Sequence, residues 1–415
     1  MESYFKARSG SGFLILGNKS SIFLPVANNS LIIVERQEED EYRNEEGFKF
    51  NVNTMALRRA EIENISVIFG SASPSMEMFK CADDGRLTFI EGDWVNNRKY
   101  SIVRQSVDKG VLPEELIKII KESSEKGENV AIYTPRRDYG SSIRCPTCRE
   151  PHLCQHCEGP LSYQRQSNLL VCTNCSSSFD YREKCTKCGS RLIYTPYIGV
   201  ELIEEGLKAI FKSSRIVSVT GETLKVALKT LQKITDQDHL ILVGSQALSK
   251  LYTVRIDMLI LVGWENLLKI AGYRADEKMF QIFINLLDAL RPRELCFFMD
   301  KKMAVNPDRY FDLKRFYTDE LKKRRIAEFP PYVRFFLIDV EKKREEASLK
   351  IIGKINKALE QDGLINYVTG PLKQKMKAGH RWKFILKGDE KRFYKTLFSM
   401  YDLSGVNIEA DPPSI

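Results

Sequence analysis

Eight of the ten cysteines in this chain of 415 residues lie within one segment of 44 residues, in four C-x-x-C pairs. A C-x-x-C turn places two thiolates where both can bind the same metal ion, and two such pairs supply the four sulfurs of a tetrahedral zinc site. The segment therefore predicts two structural zinc ions, each without an open position for a substrate. In chain order the pairs are Cys145/Cys148, Cys154/Cys157, Cys172/Cys175 and Cys185/Cys188.

The spacing of the four pairs favours a nested arrangement. Fourteen residues separate the second pair from the third, and the LSYQ and NLLV parts of this stretch can form a hairpin that closes one site. The first and fourth pairs would then enclose that site and bring the two ends of the segment together. The sequential alternative pairs the first with the second, although only five residues separate them.

Two other uses of the cysteines are less consistent with the sequence. A disulfide framework needs an oxidising compartment, and the first ten residues, MESYFKARSG, contain no apolar core of a secretion signal. Iron–sulfur clusters also bind thiolates, but regular C-x-x-C pairs are more typical of zinc ribbons. His152 and His156 are expected beside the metal sites rather than as ligands. Cys81 and Cys296 are expected to be buried thiols.

The composition indicates a chain of two to four domains with a basic C-terminal part. The net charge is +9, and residues 311–415 contain 22 Lys and Arg against 15 Asp and Glu, which is seven of those nine charges. Such a segment favours a polyanionic partner, most often nucleic acid. No apolar run approaches the roughly 18 residues of a membrane span. We therefore expect a cytoplasmic protein with no membrane partner.

The cysteine segment interrupts an alternation of apolar strands and amphipathic helices. Strand VAIYT (130–134) precedes it and strand LIYTP (near 191–195) follows it, and a similar alternation begins with FLIL (13–16) and LIIV (31–34). Repeated β–α–β units indicate an α/β fold with parallel sheets. Residues 311–415 instead have the order β-α-β-β-α-β of a ferredoxin-like α+β domain.

These features together resemble one family, the primosomal protein N′ (PriA) family of bacterial replication-restart DNA helicases. The cysteine spacing matches that family's zinc array, which is paired in the nested way. The segment GSASPS (70–75) is similar to helicase motif III, PRRDY (135–139) to the residues before the zinc array, and GSQALSK (244–250) to a motif of the second lobe. Further matches extend the resemblance over essentially the whole chain: GNKSSIFLPV (17–26), EEGFKFN (45–51), FPPY (329–332), HRWKF (380–384) and IEADP (408–412).

The resemblance implies four parts. Residues 1–105 would form a partial first RecA-like helicase lobe without a phosphate loop, and residues 106–310 a full second lobe. Residues 145–190 would be a double zinc ribbon inserted into that second lobe, and residues 311–415 the basic ferredoxin-like domain. The family's N-terminal DNA-binding domain and winged helix have no counterpart here.

The residues that hydrolyse ATP in this family are missing or altered. No G-x-x-x-x-G-K-[ST] loop occurs, and that loop's amides and lysine hold the phosphates. Glu35-Arg36-Gln37-Glu38 stands where the family has Asp-Glu-Glu-His, and Ala289 and Pro292 stand at arginine positions, with Arg291 and Arg293 nearby. The sequence therefore predicts no catalytic and no nucleotide-binding residue, and it argues against ATP as a cofactor.

Basic residues at two places are candidate DNA contacts. One place is the loop before the cysteine segment, and the other is the loop and strand near residue 380, where Trp382 points away from its basic neighbours and is expected in the core. The candidates are Arg136, Arg137, Lys373, Lys375, Lys377, Arg381 and Lys383.

The sequence thus predicts a PriA-like replication-restart protein with two structural zinc ions and no ATPase activity of its own. The resemblance implies forked or single-stranded DNA, primosome proteins and single-strand-binding protein as partners. One alternative is an ATP-dependent 3′–5′ DNA helicase completed by another chain. The other is a zinc-dependent scaffold for protein interactions that has no role with nucleic acid.

Overall fold

A computed structural model of the chain describes most of its residues. They form two compact units: residues 1–91 with 317–321, and residues 92–316 with 322–415. The described residues are 14–27, 30–44, 46–47, 49–92, 99–104, 112–135, 140–141, 143, 145, 147–148, 150–164, 167–172, 175–182, 184–185, 187–190, 199–212, 214–234, 239–269, 272–301, 305–374, 376 and 379–412.

The first unit is built around two parallel strands, β1 (Leu31–Val34) and β4 (Ser66–Phe69). Helix α1 (Val52–Glu63) packs on one face of this pair, in a small core of Ile22, Val34, Val52 and Ala56. Asn51 accepts from two backbone amides at the start of the helix, and Asn64 ends it in the left-handed conformation. The unit also contains strands β2 (Arg43–Asn44) and β3 (Phe50–Asn51), and helix α2 (Met76–Asp83).

The second unit contains a six-stranded sheet in which every pair is parallel, in the order β11-β12-β6-β13-β14-β5. The predicted α/β fold with a parallel sheet is therefore confirmed. Its central strands are fully buried apolar runs, as expected where helices cover both faces. The six strands are β5 (Lys99–Arg104), β6 (Val130–Tyr133), β11 (Arg215–Val219), β12 (Leu240–Gly244), β13 (Met258–Val262) and β14 (Glu294–Met299).

Four helices accompany this sheet. In α3 the residues Leu116 and Ile120, four apart, share one buried face, and Pro113 lies just before the first turn. Helix α6 is apolar on most sides and is almost entirely buried. The helices are α3 (Glu114–Glu125), α4 (Val200–Ile210), α5 (Leu224–Leu231) and α6 (Ala275–Leu290).

The cysteine segment forms a small antiparallel sheet of its own, in the order β10-β9-β8-β7. The predicted hairpin is present, since β8 and β9 pair with Leu161 opposite Cys172. The segment lies in the chain between β6 and α4 and so interrupts the parallel sheet. Its strands are β7 (Gly140–Ser141), β8 (Leu161–Gln164), β9 (Leu169–Cys172) and β10 (Ser178–Asp180).

Helix α7 (Leu313–Ile326) leads to the C-terminal α+β part. Its four strands form an antiparallel sheet in the order β16-β17-β15-β18, and its element order is β-α-β-β-α-β. One face packs against two helices in a single apolar core. The elements are β15 (Arg334–Lys342), α8 (Glu345–Gln361), β16 (Val368–Gln374), β17 (His380–Gly388), α9 (Glu390–Met400) and β18 (Val406–Ala410).

Some local predictions differ from the structure or are not covered by it. FLIL was expected as a strand, but Leu14–Leu16 lie outside the strands and helices, and Leu14 and Leu16 are 85% and 86% exposed. The expected strand near 191–195 lies outside the described residues. The domain boundaries at 105/106 and 310/311 stay predictions. Strand β5, which lies within the predicted first lobe of residues 1–105, pairs with β14 in the six-stranded sheet. Among the residues described, none of the helices combines the length and apolar composition that crossing a membrane requires.

Candidate metal centres

Each cysteine pair lies in a tight turn held by backbone hydrogen bonds. The amide of the first cysteine in a pair donates to the carbonyl five residues later, at 3.0, 2.9, 2.8 and 2.9 Å for Cys145, Cys154, Cys172 and Cys185. In the second, third and fourth turns, the residue that directly follows the second cysteine has a positive φ. These residues are Glu158, Ser176 and Gly189. This conformation turns the chain back, so that both thiols of a pair point to the same side.

The structure brings the eight cysteines together in two groups of four. The outer group contains Cys145, Cys148, Cys185 and Cys188, and the inner group Cys154, Cys157, Cys172 and Cys175. The grouping is nested, not sequential. Within each group all four sulfurs lie within 4.8 Å of one another.

The sulfur separations fit a tetrahedral ion. Across the outer group, the Sγ atoms of Cys145 and Cys188 are 3.5 Å apart and those of Cys148 and Cys185 are 3.7 Å apart. The corresponding inner distances are 3.6 and 3.4 Å. Two thiolates bound to zinc at about 2.3 Å with tetrahedral angles are about 3.8 Å apart. The eight thiols can therefore hold two metal ions.

The environment of the outer thiols differs from one cysteine to the next. Burial opposes ionisation of Cys145, but the Ser190 hydroxyl at 2.9 Å and two backbone amides outweigh it and lower the pKa of this thiol to about 5. At Cys148 a hydrogen bond from the Glu150 amide favours the thiolate, but burial and the neighbouring thiols prevail and raise its pKa to about 12. Four thiols at this spacing cannot all ionise unless a cation neutralises them.

In the inner group, too, hydrogen bonds lower the pKa of one thiol while burial raises that of another. Hydrogen bonding to Ser177, whose hydroxyl lies 3.2 Å from the sulfur, lowers the pKa of Cys175 to about 6. Burial raises the pKa of Cys157 to about 12, and the neighbouring thiols add to this. Each group thus contains at least one thiol whose pKa is lowered and at least one whose pKa is raised. A bound divalent cation would bring all four to the thiolate form.

Ser177 and Ser190 were not identified from the sequence, although a signal was present. Both occupy the same position, two residues after the last cysteine of a pair, in C-x-x-C-x-S. The Ser177 hydroxyl also lies 3.0 Å from Nδ1 of His156, whose ring contacts Phe179. Neither His156 nor His152 joins a group of four ligands among the described residues.

The two sites differ in exposure. The inner cysteines pack with Ile143, Leu161 and Leu170 in a small apolar core of the insert. In the outer group Cys188 is exposed, and an ion pair between Lys187 and Glu150 spans the two turns. Both sets consist of thiols alone, so each would be a closed structural site. Cys81 and Cys296 belong to neither group, and burial raises the pKa of both.

The residues predicted to replace the family's Asp-Glu-Glu-His box make hydrogen bonds and ion pairs within the first unit. Gln37 is 2% exposed, and its Oε1 accepts from Asn53 Nδ2 at 3.0 Å and from Ser75 at 3.1 Å. Ser71 donates to Glu38, and Arg36 has a left-handed backbone and pairs with Glu39 at 2.8 Å. The side chain at position 37 therefore accepts structural hydrogen bonds and, as an amide, cannot take a proton from water.

Arg291 and Arg293, which lie near the positions predicted to have lost the family's arginines, have local partners. Arg291 ends α6, and its Nε donates to the Asp288 carbonyl at 3.3 Å. Arg293 lies 3.6 Å from Asp257, at the end of the sheet where β13 and β14 begin. Ligands of parallel sheets bind at the opposite end, outside the carboxyl ends of the strands.

The candidate DNA contacts fall into three cases. Arg381 makes a two-point contact to Asp339, at 3.1 and 2.9 Å, which raises the pKa of Arg381. Lys373 pairs with Glu345 at 2.5 Å and lies over the ring of Trp382, which packs against the C-terminal core as expected. Lys383 has no ion pair within the described part of the chain. Arg136, Arg137, Lys375 and Lys377 lie outside the described residues.

Comparison with known proteins gives one consistent result. No family model matches the chain. It is 24% identical to the replication restart protein PriA of Thermotoga maritima, over 99% of this chain and 58% of that protein. It is 25% identical to the protein of the same name from Chlamydia pneumoniae, over 92% and 55%, and 25% identical to that of Bacillus subtilis, over 90% and 49%. The chain spans little more than half the length of the first two relatives, and it resembles PriA over most of its own length.

Proposed function

We propose that this chain is a PriA-like replication-restart protein that binds DNA and primosome partners, contains two structural zinc ions and has no ATPase activity of its own. The observation that carries the proposal is the nested pair of four-cysteine groups, inserted into a parallel α/β sheet of a chain that resembles PriA over most of its length. The proposed lobes are residues 1–105 and 106–310, the insert is 145–190, and 311–415 is the ferredoxin-like domain. The proposed location is the cytoplasm.

Zinc is the proposed ion for both groups. Four thiolates in a closed tetrahedral set suit zinc, and the sulfur separations agree with its bond length. Such a site supplies no reactive water, because no coordination position is open. It joins distant parts of the chain instead. Metal analysis should give two zinc ions per chain and no iron, and visible absorbance from an iron–sulfur cluster would contradict the assignment.

DNA binding is proposed for the basic C-terminal domain and the zinc insert. The supporting observations are the charge of residues 311–415 and the exposure of most of their described lysines. The ligand would be forked or single-stranded DNA, by resemblance to the family. Lys383 and the four candidates outside the described residues, Arg136, Arg137, Lys375 and Lys377, are proposed to contact phosphates, whereas Arg381 and Lys373 already contact carboxylates.

The absence of ATPase activity is proposed from the altered motifs. No phosphate loop occurs in the sequence, and Gln37 is an amide held by Asn53 and Ser75. Loss of either the phosphate loop or the catalytic carboxylate typically lowers the rate of phosphoryl transfer by orders of magnitude. The chain would then use its helicase-like fold to present DNA-binding and partner-binding surfaces.

The central experiment is fluorescence anisotropy of the zinc-loaded chain with forked, single-stranded and blunt duplex DNA. We expect tighter binding to forked or single-stranded DNA than to blunt duplex DNA. The logarithm of the affinity should fall linearly with the logarithm of the salt concentration. A chain that binds no DNA at low salt would contradict the proposal. If such a chain still captured protein partners after nuclease treatment, the scaffold alternative would be favoured.

A second experiment tests the ATPase. Calorimetric titration with ATP and a non-hydrolysable analogue, together with a DNA-stimulated phosphate-release assay, should give neither binding nor release. Phosphate release by the chain alone would overturn the proposal of an inactive ATPase. Release that needs a second chain would favour the helicase completed in that way.

A further inference from the structure

The two helices of the C-terminal α+β part carry positive charge without acidic residues between their ends. Residues 347–359 of α8 contain three lysines and no aspartate or glutamate. Residues 391–401, which include most of α9, contain two lysines and an arginine and again no acidic residue. On a helix surface, opposite charges three or four positions apart can neutralise one another. Here the acidic residues lie only near the helix ends, so the middle of each helix stays positive.

The three lysines of α8 point away from the sheet. Ile352 and Ile355 are buried in the core that this helix forms with the sheet. Each lysine is two positions from one of these isoleucines, and two positions correspond to about 200° around a helix axis. Lys350, Lys354 and Lys357 are all exposed, and none makes an ion pair with the described part of the chain. They form one basic row along the outer side of α8.

Helix α9 adds an exposed aromatic ring to two more lysines. Phe393 and Met400 of this helix are buried in the same core. Lys391, Lys395 and Phe398 each lie two positions from one of them and therefore point away from the sheet as well. Both lysines are exposed. The ring of Phe398 is 84% exposed, although it lies only three positions from Lys395. An exposed ring thus adjoins exposed positive charge.

The outer sides of the two helices lie next to each other. Both helices pack on the same face of the sheet. Asp362, which follows α8, accepts from the Thr396 hydroxyl of α9 and lies 3.4 Å from Nζ of Lys395. The end of α8 therefore adjoins the middle of α9. Tyr401, three positions after Phe398, contributes a second ring that is 65% exposed. Together these outer sides form one surface, called here the helix surface.

We propose that the helix surface binds single-stranded DNA, with phosphates along its lysines and an unpaired base stacked on Phe398. This inference rests on the proposed function, because it takes DNA binding as given and assigns part of it to α8 and α9. Its contacts lie apart from the candidates on β16, β17 and the loop between them. The residues that carry it are Lys350, Lys354, Lys357, Lys391, Lys395 and Phe398.

A single strand has both features that the helix surface would recognise. Its phosphates are attracted to lysines that lack neighbouring acids, and its unpaired bases stack on aromatic rings whatever their identity. In a blunt duplex the bases are stacked on one another and do not reach a ring on a convex surface. A symmetric second copy would place the same positive charges against each other, which is unfavourable. An acidic peptide would match the lysines but offers no series of bases for the rings.

The role of the ring is tested by anisotropy titrations of the zinc-loaded full chain with labelled oligothymidylate and with a blunt duplex. Phe398→Ala should raise the dissociation constant for the single strand about 5-fold or more and leave that for the duplex unchanged. Phe398→Trp should retain the affinity, because indole also stacks, whereas Phe398→Leu should behave like Phe398→Ala. Ile326→Ala is the matched control, since Ile326 is apolar and 77% exposed but lies at the end of α7.

The role of the lysines is tested by the salt dependence of the same titrations. Changing Lys350, Lys354 and Lys357 together to glutamine should reduce the slope for the single strand by about two units, since each phosphate contact contributes about 0.7. The control changes the same charge elsewhere, where acidic residues lie among the lysines, and should leave the slope unchanged. It replaces Lys118 and Lys121 of α3 and Lys126 just after it. Circular dichroism melts establish that each variant is folded.

The outcomes separate this inference from the proposed function. A wild-type chain that binds no DNA contradicts both. A wild-type chain that binds the single strand, with variants of Phe398 and of the three lysines that bind it equally well, overturns the inference alone. An effect of the lysines without any effect of Phe398→Ala overturns the stacked base, and only attraction for a polyanion would then be left.

Discussion

At the scale of single residues, the serine hydroxyls beside the thiols set how readily the cysteines ionise. Ser190 lies 2.9 Å from Cys145 and 3.3 Å from Cys188, and Ser177 occupies the equivalent position at the inner site. A hydroxyl that donates to a thiolate stabilises the charged form. Since only thiolates bind the metal, these serines favour metal binding in competition with protons.

Ser190→Ala should therefore shift acid release of the outer metal ion to higher pH. The Ser190 hydroxyl contributes to lowering the pKa of Cys145 to about 5, so its removal raises that pKa. At a given acidic pH the Cys145 thiolate then binds a proton more readily, and the proton competes more strongly with the metal ion. The measurement is zinc release against pH with a chromophoric chelator. Ser167→Ala, a serine away from both sites, is the control, and an unchanged release profile for Ser190→Ala would count against this role.

Arg381 and Lys383, two residues apart on β17, are expected to respond oppositely to substitution. Arg381 contacts the buried Asp339 at two points, so Arg381→Ala leaves a buried carboxylate without that contact and should cost about 1–3 kcal/mol of unfolding free energy. Lys383→Ala should leave stability within about 0.5 kcal/mol but reduce the salt dependence of DNA binding by about one unit of slope. Urea unfolding and anisotropy titrations measure the two effects. The reverse pattern would show that Arg381, not Lys383, serves the DNA.

At the scale of elements, the proposed outer and inner metal sites would hold different parts of the chain together. The outer site joins the first turn of the insert to its last, whereas the inner site joins turns that the β8–β9 hairpin and a small apolar core also connect. Loss of the outer site thus removes the contact that closes the insert, and loss of the inner site removes one contact among several.

We therefore expect Cys145→Ser and Cys188→Ser to lower the melting temperature of the second unit more than Cys157→Ser does. The measurement is thermal unfolding of the zinc-loaded variants, followed by circular dichroism, with limited proteolysis to locate cleavage in the insert. Cys81→Ser, which changes a cysteine outside both groups, controls for the loss of a thiol. Equal shifts for the outer and inner variants would contradict the idea that the outer site closes the insert.

How far the sequence predicted these elements depends on how local their causes are. The C-x-x-C turns and the hairpin between them are set by short-range spacing, and the sequence predicted them. The partner of Arg381 is set by the register between β15 and β17, which brings Asp339 from 42 positions away. FLIL is apolar enough for a strand, but apolar content alone does not provide a neighbouring strand to pair with. Local sequence patterns do not specify which distant strand or side chain a segment contacts.

At the scale of the whole molecule, the two units have cores of different size. Among the described residues, the first has a two-stranded parallel sheet and a core cluster of four buried apolar residues. The described part of the second has a six-stranded sheet whose core cluster contains fifteen buried residues, together with the C-terminal core and the cysteine insert. Because a two-stranded sheet is marginal and burial of apolar area is the main stabilising term, the first unit should open at a lower free energy.

Hydrogen exchange followed by mass spectrometry can measure this difference in the intact zinc-loaded chain. Amides of β1, β4 and α1 should exchange well before those of β6, β12 and β13. Adding a zinc chelator should speed exchange in the insert and in the rest of the second unit while leaving the first unit unchanged, since the eight proposed metal ligands all lie in the second unit. If both units exchanged at the same rate and responded equally to the chelator, the chain would unfold as one cooperative body. The metal sites would then stabilise the whole molecule and not one unit.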